Sequence, residues 1–574
     1  MRHKRDFAVD YRVLALIALA VPIGALAVAA AALLLALIHL GTNLFYFQRL
    51  SFAAVSPADS HLGLWAIAIP VLGGLIVGLM ARYGSSKIRG HGIPEAIEAI
   101  LFGKSKLSFR VAALKPLSSA IVIGSGGPFG AEGPIIMTGG SIGSLIAQHI
   151  HLSAAERKTL LVAGATAGMT AVFGTPIAAV LLAVELLLFE LRPRSLVPVA
   201  IACAVAGFLR GQLLYSEPLF AVQTPPVTPM IMWGCVLAGL ASGVLCMVLS
   251  WSLYRVEDLF GRLPLHWMWW PALGGLAIGV GGYFEPRALG IGFDVIGDLL
   301  NDHLLLSAAL ALLAVKAIIW VIALGSGTSG GVLAPLLMLG AGLGAALAHV
   351  LPGGQGALWP LVCMAATLAG VLGAPLTAVV FALGLSHDLE ALLPLLLTVT
   401  VAYALTVLVA KRSIMTEKIA RRGLHIYREY SVDPLERHEA GEIMTRQVRT
   451  LDADCSLDHA REQAFGSNQA HRAYPVVHQG RLLGMVDRQV MDNSAKRLGD
   501  LFSEPPAFSL PGDNCRQLAG RLLALGLERI PVVRDASSLE VVGIVSRSDL
   551  LKTSLGVHEE ESVREKPLRW GTER

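Results

Sequence analysis

One carboxylate, Glu132, lies in a stretch of sequence whose chemistry suits anion binding. Five glycines and two prolines fill residues 124–134 (Gly-Ser-Gly-Gly-Pro-Phe-Gly-Ala-Glu-Gly-Pro), with apolar sequence on both sides. Such residues interrupt helices, and irregular backbone at membrane depth is tolerated only where protein buries it or where it lines a polar cavity. We expect Pro134 to open the next helix, whose free amides and positive dipole end face the break. These features predict an anion site in which Glu132 is a titratable competitor.

The pattern around Glu132 occurs a second time in the chain. At a shift of 201 positions, 11 of the 34 residues from 115 to 148 are identical, including a lysine, a Gly-Ser-Gly and a proline. Two halves with broken helices at matching positions indicate a transport site at their interface. The second copy reads Gly-Val-Leu-Ala-Pro at 331–335 and lacks the acid. We therefore expect the amides of Val332 and Leu333 to hold a dehydrated anion.

A third helix start precedes both breaks. Residues 90–95 read Gly-His-Gly-Ile-Pro-Glu, with proline at the expected first helical position. The site prediction includes His91, Gly92 and Ile93. The alternative for His91 is an interfacial histidine whose hydrogen bonds are satisfied by the protein.

Composition places these breaks in a membrane protein. The 574 residues are 54% hydrophobic and 15% charged, with a mean hydropathy of +0.62, which a soluble domain could not bury. Basic residues precede the first apolar run and follow the last one, so we expect both termini in the cytoplasm and the chain in the cell (inner or plasma) membrane. The net charge of +4 is too small to indicate nucleic acid, and the six cysteines have no spacing typical of a metal site or disulfides. No catalytic constellation is present, so we do not expect an enzyme.

The change from apolar to charged sequence predicts the domain organisation. We expect a membrane domain at 1–410 with repeat halves at about 60–210 and 228–410, a helical linker at 411–437, two similar modules at 438–494 and 498–556, and a flexible tail at 557–574.

The three helix starts, in this order, resemble the CLC family of chloride channels and chloride/proton antiporters. The family's G-S-G-I-P, G-[RK]-E-G-P and G-x-F-x-P motifs correspond to 90–94, 130–134 and 331–335. The resemblance implies a homodimer in membrane lipid, with one chloride pathway per subunit and two inverted structural repeats of tilted and broken helices. It also implies that Glu132 is the gating glutamate. The implied anion-binding residues are His91, Gly92, Ile93, Gly130, Gly133, Val332, Leu333 and Met415.

Several of these positions depart from the family pattern. His91 replaces a serine, Ala131 a basic residue and Leu333 a phenylalanine, and Met415 falls where the family has its pore-lining tyrosine. His91 could donate a hydrogen bond or carry charge at acidic pH.

The position of the antiporters' proton-relaying glutamate decides the expected mechanism. Counting from Pro176 puts Leu186 there, next to Glu185. Because leucine cannot carry a proton, passive chloride conduction is slightly favoured. A chloride/proton antiporter, with Glu185 as the proton relay, and a proton-linked carrier of another anion such as fluoride stay open. A magnesium channel is disfavoured, because its pore would need acidic ligands that the membrane part lacks.

Two lysines, Lys115 and Lys316, occupy matching positions in apolar segments of the two halves. An intramembrane lysine normally faces protein or water. They either make the approach to the pore electropositive or satisfy backbone carbonyls at helix ends, and the sequence favours neither.

The C-terminal modules resemble a pair of cytoplasmic α/β CBS domains, which in the family can bind adenine nucleotides. The family's Gly-x-x-Ser/Thr-x-x-Asp signature is present at 543–549, which makes Ser546 and Asp549 candidate nucleotide contacts. The first module lacks the acid at the corresponding 484–490, so at most one nucleotide site is expected. The alternative, which the sequence supports equally well, is that Asp549 caps a helix. No cofactor is required by this reading.

Overall fold

The computed structural model describes residues 11–150, 152–214, 218–353, 356–410, 412–424, 426, 435, 438–465, 472–487 and 496–552. The chain divides into two compact units, Met1–Glu429 and Tyr430–Arg574. The predicted tail at 557–574, and most of the predicted linker at 411–437 beyond a short helix, lie outside the described residues.

The first unit is entirely helical in its described part. Its helices are α1 (Arg12–Phe47), α2 (Ala68–Tyr83), α3 (Ile93–Leu101), α4 (Phe109–Gly124), α5 (Glu132–His149), α6 (Ala154–Phe173), α7 (Pro176–Leu182), α8 (Pro193–Leu213), α9 (Pro229–Gly261), α10 (Trp270–Phe284), α11 (Phe293–Leu300), α12 (Leu306–Gly325), α13 (Leu333–Leu347), α14 (Leu358–Leu372), α15 (Pro375–Ser386), α16 (Leu392–Val409) and α17 (Ile414–Ala420). A π-helical turn, Ala183–Leu188, continues α7.

Six helical segments in the described part are long and apolar enough to cross a membrane. They are Arg12–Phe47, Gly63–Tyr83, Pro193–Leu213, Pro229–Gly261, Leu306–Gly325 and Leu392–Ala420. Shorter apolar helices lie between them. Among these, α14 is buried along nearly its whole length, because neighbouring helices rather than lipid cover it. This mixture of long and half-length helices agrees with the predicted class of tilted and broken spans.

The two halves are related by a repeat that the hydrogen bonds make visible. Gly130 donates to Gly331 O at 3.1 Å, and Gly331 donates back to Gly130 O at 2.9 Å, as an antiparallel bridge. These residues are 201 positions apart, the shift found in the sequence. Reciprocal bonds between equivalent residues require an approximate two-fold relation between the halves, so the inverted repeat is confirmed.

Other equivalent residues of the two halves form hydrogen bonds that fit the same two-fold relation. Gly90 donates to Gly327 O, and Gly290 donates to Gly126 O. The equivalent helices α2 and α10 also pack directly on each other. At this contact a Cβ on either of two glycines would collide with the partner helix's backbone; the glycines are Gly74 and Gly275. The small residues therefore allow the halves to approach at backbone distance.

The prolines of the three motifs lie one or two residues deeper in their helices than predicted. Pro134 and Pro335 are the third residues of α5 and α13, and Pro94 is the second residue of α3. The prediction of a first position was wrong. Because the first-turn amides of a helix have no intrahelical partner, a proline anywhere in that turn loses no hydrogen bond.

The second unit has the α/β pattern predicted for paired CBS modules. Its described elements are β1 (Leu451–Asp452), β2 (Ala473–His478), β3 (Arg481–Asp487), β4 (Arg529–Val533) and β5 (Val541–Ser546), with helices α18 (Ala440–Ile443), α19 (Leu457–Phe465), α20 (Cys515–Ala524) and α21 (Arg547–Lys552). Strand β2 pairs in parallel with β1 and antiparallel with β3, and β4 pairs antiparallel with β5. A bridge between Thr445 and Ile544 joins the two modules.

Candidate anion site

The Glu132 side chain lies at the point where the two breaks meet. It is fully buried, and its Oε1 accepts a hydrogen bond of 2.5 Å from the amide of Ala334 in the other half. Its Oε2 accepts no hydrogen bond from the described residues. A Cβ at Gly130 or Gly331 would collide with the carboxylate, so these glycines provide the space that it fills. A carboxylate therefore occupies the start of α13.

The amide that meets Glu132 belongs to a residue that the sequence prediction missed. Val332 precedes α13, so Leu333 is its first residue and Ala334 its second. A capping oxygen normally accepts a hydrogen bond from the second or third amide of a helix. The predicted contacts, Val332 and Leu333, are the immediate neighbours. Spacing from the helix start could have identified Ala334 if the start had been placed correctly.

Gly130 and Gly133, the two predicted glycines in residues 124–134, shape the site with their backbone. The amide of Gly130 is used in the bridge to Gly331, so it is not free for an anion, and the role of Gly130 in anion binding stays a prediction. Gly133 packs against the carbonyl of His91 so closely that a Cβ there would collide with it. Both residues shape the site through their lack of a side chain.

The loop before α3 brings His91 to the same region, but one of its predicted donors is occupied. The amide of Gly92 donates to Glu95 Oε2 at 3.0 Å, and Glu95 Oε1 accepts from Lys418 of α17 at 2.7 Å. Gly92 has a φ of 88°, which only glycine adopts readily. The amide of Gly92 is therefore not free, and the role of Gly92 in anion binding stays a prediction. The first residue of α3, Ile93, is fully buried.

The His91 ring is almost fully buried and lines a cavity of about 640 Å³. Its Nδ1 has no hydrogen-bond partner among the described residues. This differs from the alternative of a histidine satisfied by the protein. We call the cavity the vestibule. Its polar lining is Ser86, Lys87, Arg89, His91, Glu95, Glu98, Lys106, Tyr254, Glu257, Trp270, Lys418, Arg421 and Arg422.

The paired lysines bind backbone carbonyls at equivalent places. Lys115 Nζ donates to Ile88 O at 2.8 Å and to Gly90 O at 2.6 Å. Lys316 Nζ donates to Ala288 O and Gly290 O at 2.9 and 3.0 Å. Both side chains are fully buried. Of the two readings left open by the sequence, the structure supports carbonyl binding, and Lys115 thereby holds the loop that carries His91.

Glu185 caps a helix. Its Oε1 accepts from the amide of Leu376 at 3.2 Å, and its Oε2 accepts from the amide and hydroxyl of Thr377 at 2.8 and 2.7 Å. These groups belong to the first turn of α15, where amides lack intrahelical partners. The carboxylate therefore joins the π-helical turn after α7 to the start of α15.

Glu132 differs from two other buried or half-buried glutamates that contact helix starts, Glu95 and Glu185. Both oxygens of Glu95 and both oxygens of Glu185 accept hydrogen bonds. Only one oxygen of Glu132 does so among the described residues, and the donor is a neutral amide. A buried carboxylate oxygen without a partner is costly. Glu132 is thus the least firmly held of the three, as a movable competitor requires.

A small apolar cavity lies next to Leu333. Its volume is about 10 Å³, and its lining includes Met169, Leu182, Leu368 and also Thr377, the partner of Glu185. A water molecule needs about 10–15 Å³ and polar partners, so the cavity has room for one at most. The side chain of Met415 is fully buried on α17, which packs against α3 and α14.

In the second unit, Asp549 and Ser546 form a capping box at the start of α21. Its Oδ2 accepts from the amide and hydroxyl of Ser546 at 3.0 and 2.6 Å, and Lys552 lies 3.2 Å from Oδ1. Burial acts to raise the pKa of Asp549, but the Ser546 hydrogen bonds and the Lys552 charge outweigh it and hold the pKa below its usual value. The capping alternative is thus observed, and nucleotide contact at this residue stays a prediction.

Comparison with known proteins gives consistent matches in both units. The family model described as voltage gated chloride channel matches residues 73–407, and the CBS domain model matches 440–489 and 498–556. A ClcB-like protein from Ralstonia nicotianae is 29% identical over 62% of this chain and 86% of its own. The H(+)/Cl(-) exchange transporter ClcA from Salmonella arizonae is 27% identical over 60% of this chain and 76% of its own. The crystal structure of a slow cyanobacterial Cl−/H+ antiporter aligns with a TM-score of 0.64 at 23% identity, covering 72% of this chain and 99% of its own.

Proposed function

The chain belongs to the voltage-gated chloride channel family, and on that premise we propose that it carries chloride through a pathway gated by Glu132. The observation that carries this proposal is the contact of Glu132 Oε1 with the Ala334 amide, combined with the unpartnered Oε2. The carboxylate occupies a place where a helix start offers amides to an anion. Membership in a transport family also agrees with a role other than catalysis.

The gating step follows from competition at that amide. The ionised carboxylate and a chloride ion are both negative, so they cannot share the start of α13. Protonation removes the charge of Glu132 and weakens its hold on Ala334, because a neutral acceptor binds an amide less strongly than a charged one. Chloride then takes the amide, and the bound ion leaves readily because no fixed positive charge holds it.

Two observations favour passive conduction over obligatory exchange, namely the contacts of Glu185 and the apolar cavity beside Leu333. Glu185 is fully used as a cap of α15, so moving a proton through it would break that cap. The cavity that includes Leu333 and Thr377 is apolar and holds one water at most, which does not support a chain of waters for proton transfer. Chloride/proton antiport, as named for the Salmonella relative, is the second candidate, and a proton-linked carrier of fluoride is the third.

Simultaneous recording of chloride efflux and proton movement in liposomes separates these mechanisms. Passive conduction predicts efflux that needs only a counter-ion pathway, without proton movement in fixed ratio. Antiport predicts proton uptake driven by the chloride gradient, and a fluoride carrier predicts fluoride flux far above chloride flux. The variants Glu185→Gln and Thr377→Val both weaken the cap, but only Glu185→Gln removes a titratable group. A proton flux abolished by Glu185→Gln and kept by Thr377→Val would establish Glu185 as a relay.

The proposal extends to the surroundings of the pathway. The protein is a homodimer in the cell membrane with both termini in the cytoplasm. Arg421 and Arg422, which follow α17, support the cytoplasmic orientation of the C-terminal end. The CBS pair regulates transport, and one adenine nucleotide binds near Ser546 and Asp549. Cysteine labelling of the termini in sealed vesicles and nucleotide titration of the purified protein test these assignments.

A further inference from the structure

The vestibule is much larger than a chloride ion requires. Its volume is about 640 Å³, which lies within the range of roughly 300–1,000 Å³ typical of sites for organic ligands. Its lining combines charged, aromatic and aliphatic side chains from α3 and the loops on either side of it, from α4, α5, α9, α10 and α12, and from α17 and the residues that follow it. A cavity of this size and composition can hold a polyatomic anion in addition to conducting chloride.

The vestibule carries excess positive charge. Six basic and three acidic side chains line it, which leaves three net positive charges with His91 neutral. Lys418 pairs with Glu95, Arg422 pairs with Glu98, and Arg421 binds Asp258. These pairs account for three of the basic groups and two of the lining acids.

Three basic groups remain without an ion pair among the described residues: Lys87, Arg89 and Lys106. Glu257, the remaining lining acid, interacts electrostatically with Arg89 without forming an ion pair. Lys87 and Lys106 are exposed, so their side chains can reach a ligand at little cost.

Arg89 is positioned by stacking and has spare donor capacity. Its guanidinium lies over Trp267 and Trp270, with distances of 4.5 and 5.6 Å to the ring centroids. Its Nε is buried and has no hydrogen-bond partner among the described residues, and neither has Nδ1 of the nine-tenths-buried His91. A buried polar group without a partner is unfavourable, and an oxygen-rich anion in the vestibule would supply acceptors. A guanidinium fixed in this way suits phosphate oxygens.

We propose that the vestibule binds a soluble anion bearing a pyrophosphate group, held by Arg89, Lys87 and Lys106, and that the bound anion obstructs the pathway. Pyrophosphate matches the excess charge and the spare donors better than chloride, which offers one charge and no fixed geometry. The binding step does not depend on the proposed chloride transport, but the obstruction does. Organic molecules that carry a pyrophosphate group are the proposed physiological class of ligand.

Calorimetric titration of the purified full-length protein with sodium pyrophosphate, in detergent without anionic lipid, tests the binding step. We expect saturable binding that Lys87→Gln/Lys106→Gln weakens about tenfold or more, because two charge-assisted contacts are lost. Arg89→Gln should weaken it similarly. Lys104→Gln is the matched control, since this exposed neighbour does not line the vestibule, and its affinity should equal that of the wild type.

Four results would overturn the proposal, and the first three concern pyrophosphate itself. They are no saturable binding at millimolar pyrophosphate, equal binding by the double variant and the control, and binding that is lost in Ser546→Ala/Asp549→Ala. The last result would place the ligand in the CBS pair. Sulfate that binds as tightly as pyrophosphate, with the same response to the variants, would reduce the effect to general charge attraction and also counts against it.

Chloride efflux from liposomes then tests the obstruction. External pyrophosphate should inhibit the molecules whose vestibule faces outward, and Lys87→Gln/Lys106→Gln should need about tenfold more for the same inhibition. A wild-type protein that binds pyrophosphate but passes no anion contradicts the proposed transport and leaves the binding site intact. One that passes chloride and ignores pyrophosphate contradicts only the binding site.

Discussion

Replacing Glu132 with glutamine removes the negative charge from the anion site and keeps the size of the side chain. In the structure the carboxylate is held by one hydrogen bond, 2.5 Å from Ala334 N to Oε1. A hydrogen bond to a charged group contributes about 1.5–3 kcal/mol, and one between neutral groups about 0.5–1.5 kcal/mol. The side chain should therefore compete for the amide less strongly by about 1–1.5 kcal/mol. That difference corresponds to roughly five- to thirteenfold tighter apparent chloride binding.

Calorimetric titration with chloride across a pH series measures this change. Wild-type affinity should rise as the pH falls, because protonation of Glu132 removes the competing charge. Glu132→Gln should bind with the affinity of the acid limit at every pH. Glu156→Gln is the control, since Glu156 also accepts a helix-start amide, that of Ser153 at 2.9 Å, but at the surface. If Glu132→Gln keeps both the wild-type affinity and its pH dependence, competition at Ala334 is refuted.

Three further substitutions test other parts of the structure. Gly331→Ala places a methyl group against the Glu132 carboxylate, so chloride efflux from liposomes should be faster at neutral pH and less dependent on pH; an unaltered pH profile argues against the contact. Lys316→Met leaves two buried carbonyls without a donor and should destabilise the protein by about 2–6 kcal/mol, read as a lower thermal unfolding temperature that the surface variant Lys104→Met does not show. Asp549→Ala removes one half of the capping box at the start of α21; hydrogen exchange of that helix in the full-length protein should accelerate, and unchanged exchange contradicts the capping role.

The fold could be predicted because the repeat left identical residues at structurally demanding positions. A lysine is kept in both halves since each holds the carbonyls of the loop before a helix, as Lys115 and Lys316 do. Gly130 and Gly331 are kept since their backbones bond to each other beside a carboxylate. Such constraints are visible in one sequence because the chain contains both copies.

The individual amides of the site could be predicted less well. The sequence pointed to Val332 and Leu333 as anion-binding amides, which stays a prediction. The amide that Glu132 contacts is that of Ala334, because a shift of one residue in a helix start changes which amide faces outward. The use of the Gly92 amide by Glu95 could have been read from their spacing, which is that of a capping box. The contact between Glu95 and Lys418 could not be predicted in this way, because 323 residues separate the two in the chain.

The contacts of Glu185, the candidate proton relay, could not be predicted from the sequence for a different reason. Sequence counting put Glu185 next to the relay position, which it assigned to Leu186, and that assignment stays a prediction. Its chemistry depends on α15, whose first-turn amides and Thr377 hydroxyl occupy both oxygens. No local sequence pattern around Glu185 predicts a hydrogen-bond partner nearly 200 residues later in the chain.

Locating a bound anion tests the central claim most directly, that Glu132 and the transported anion compete for the start of α13. Bromide scatters anomalously and can be located in crystals of the wild type and of Glu132→Gln at the same bromide concentration. We expect a bromide peak within hydrogen-bonding distance of Ala334 N in the variant, with the glutamine side chain displaced, and a weaker or absent peak at that amide in the wild type. A glutamine that stays on Ala334 while bromide binds elsewhere in both proteins would contradict the claim.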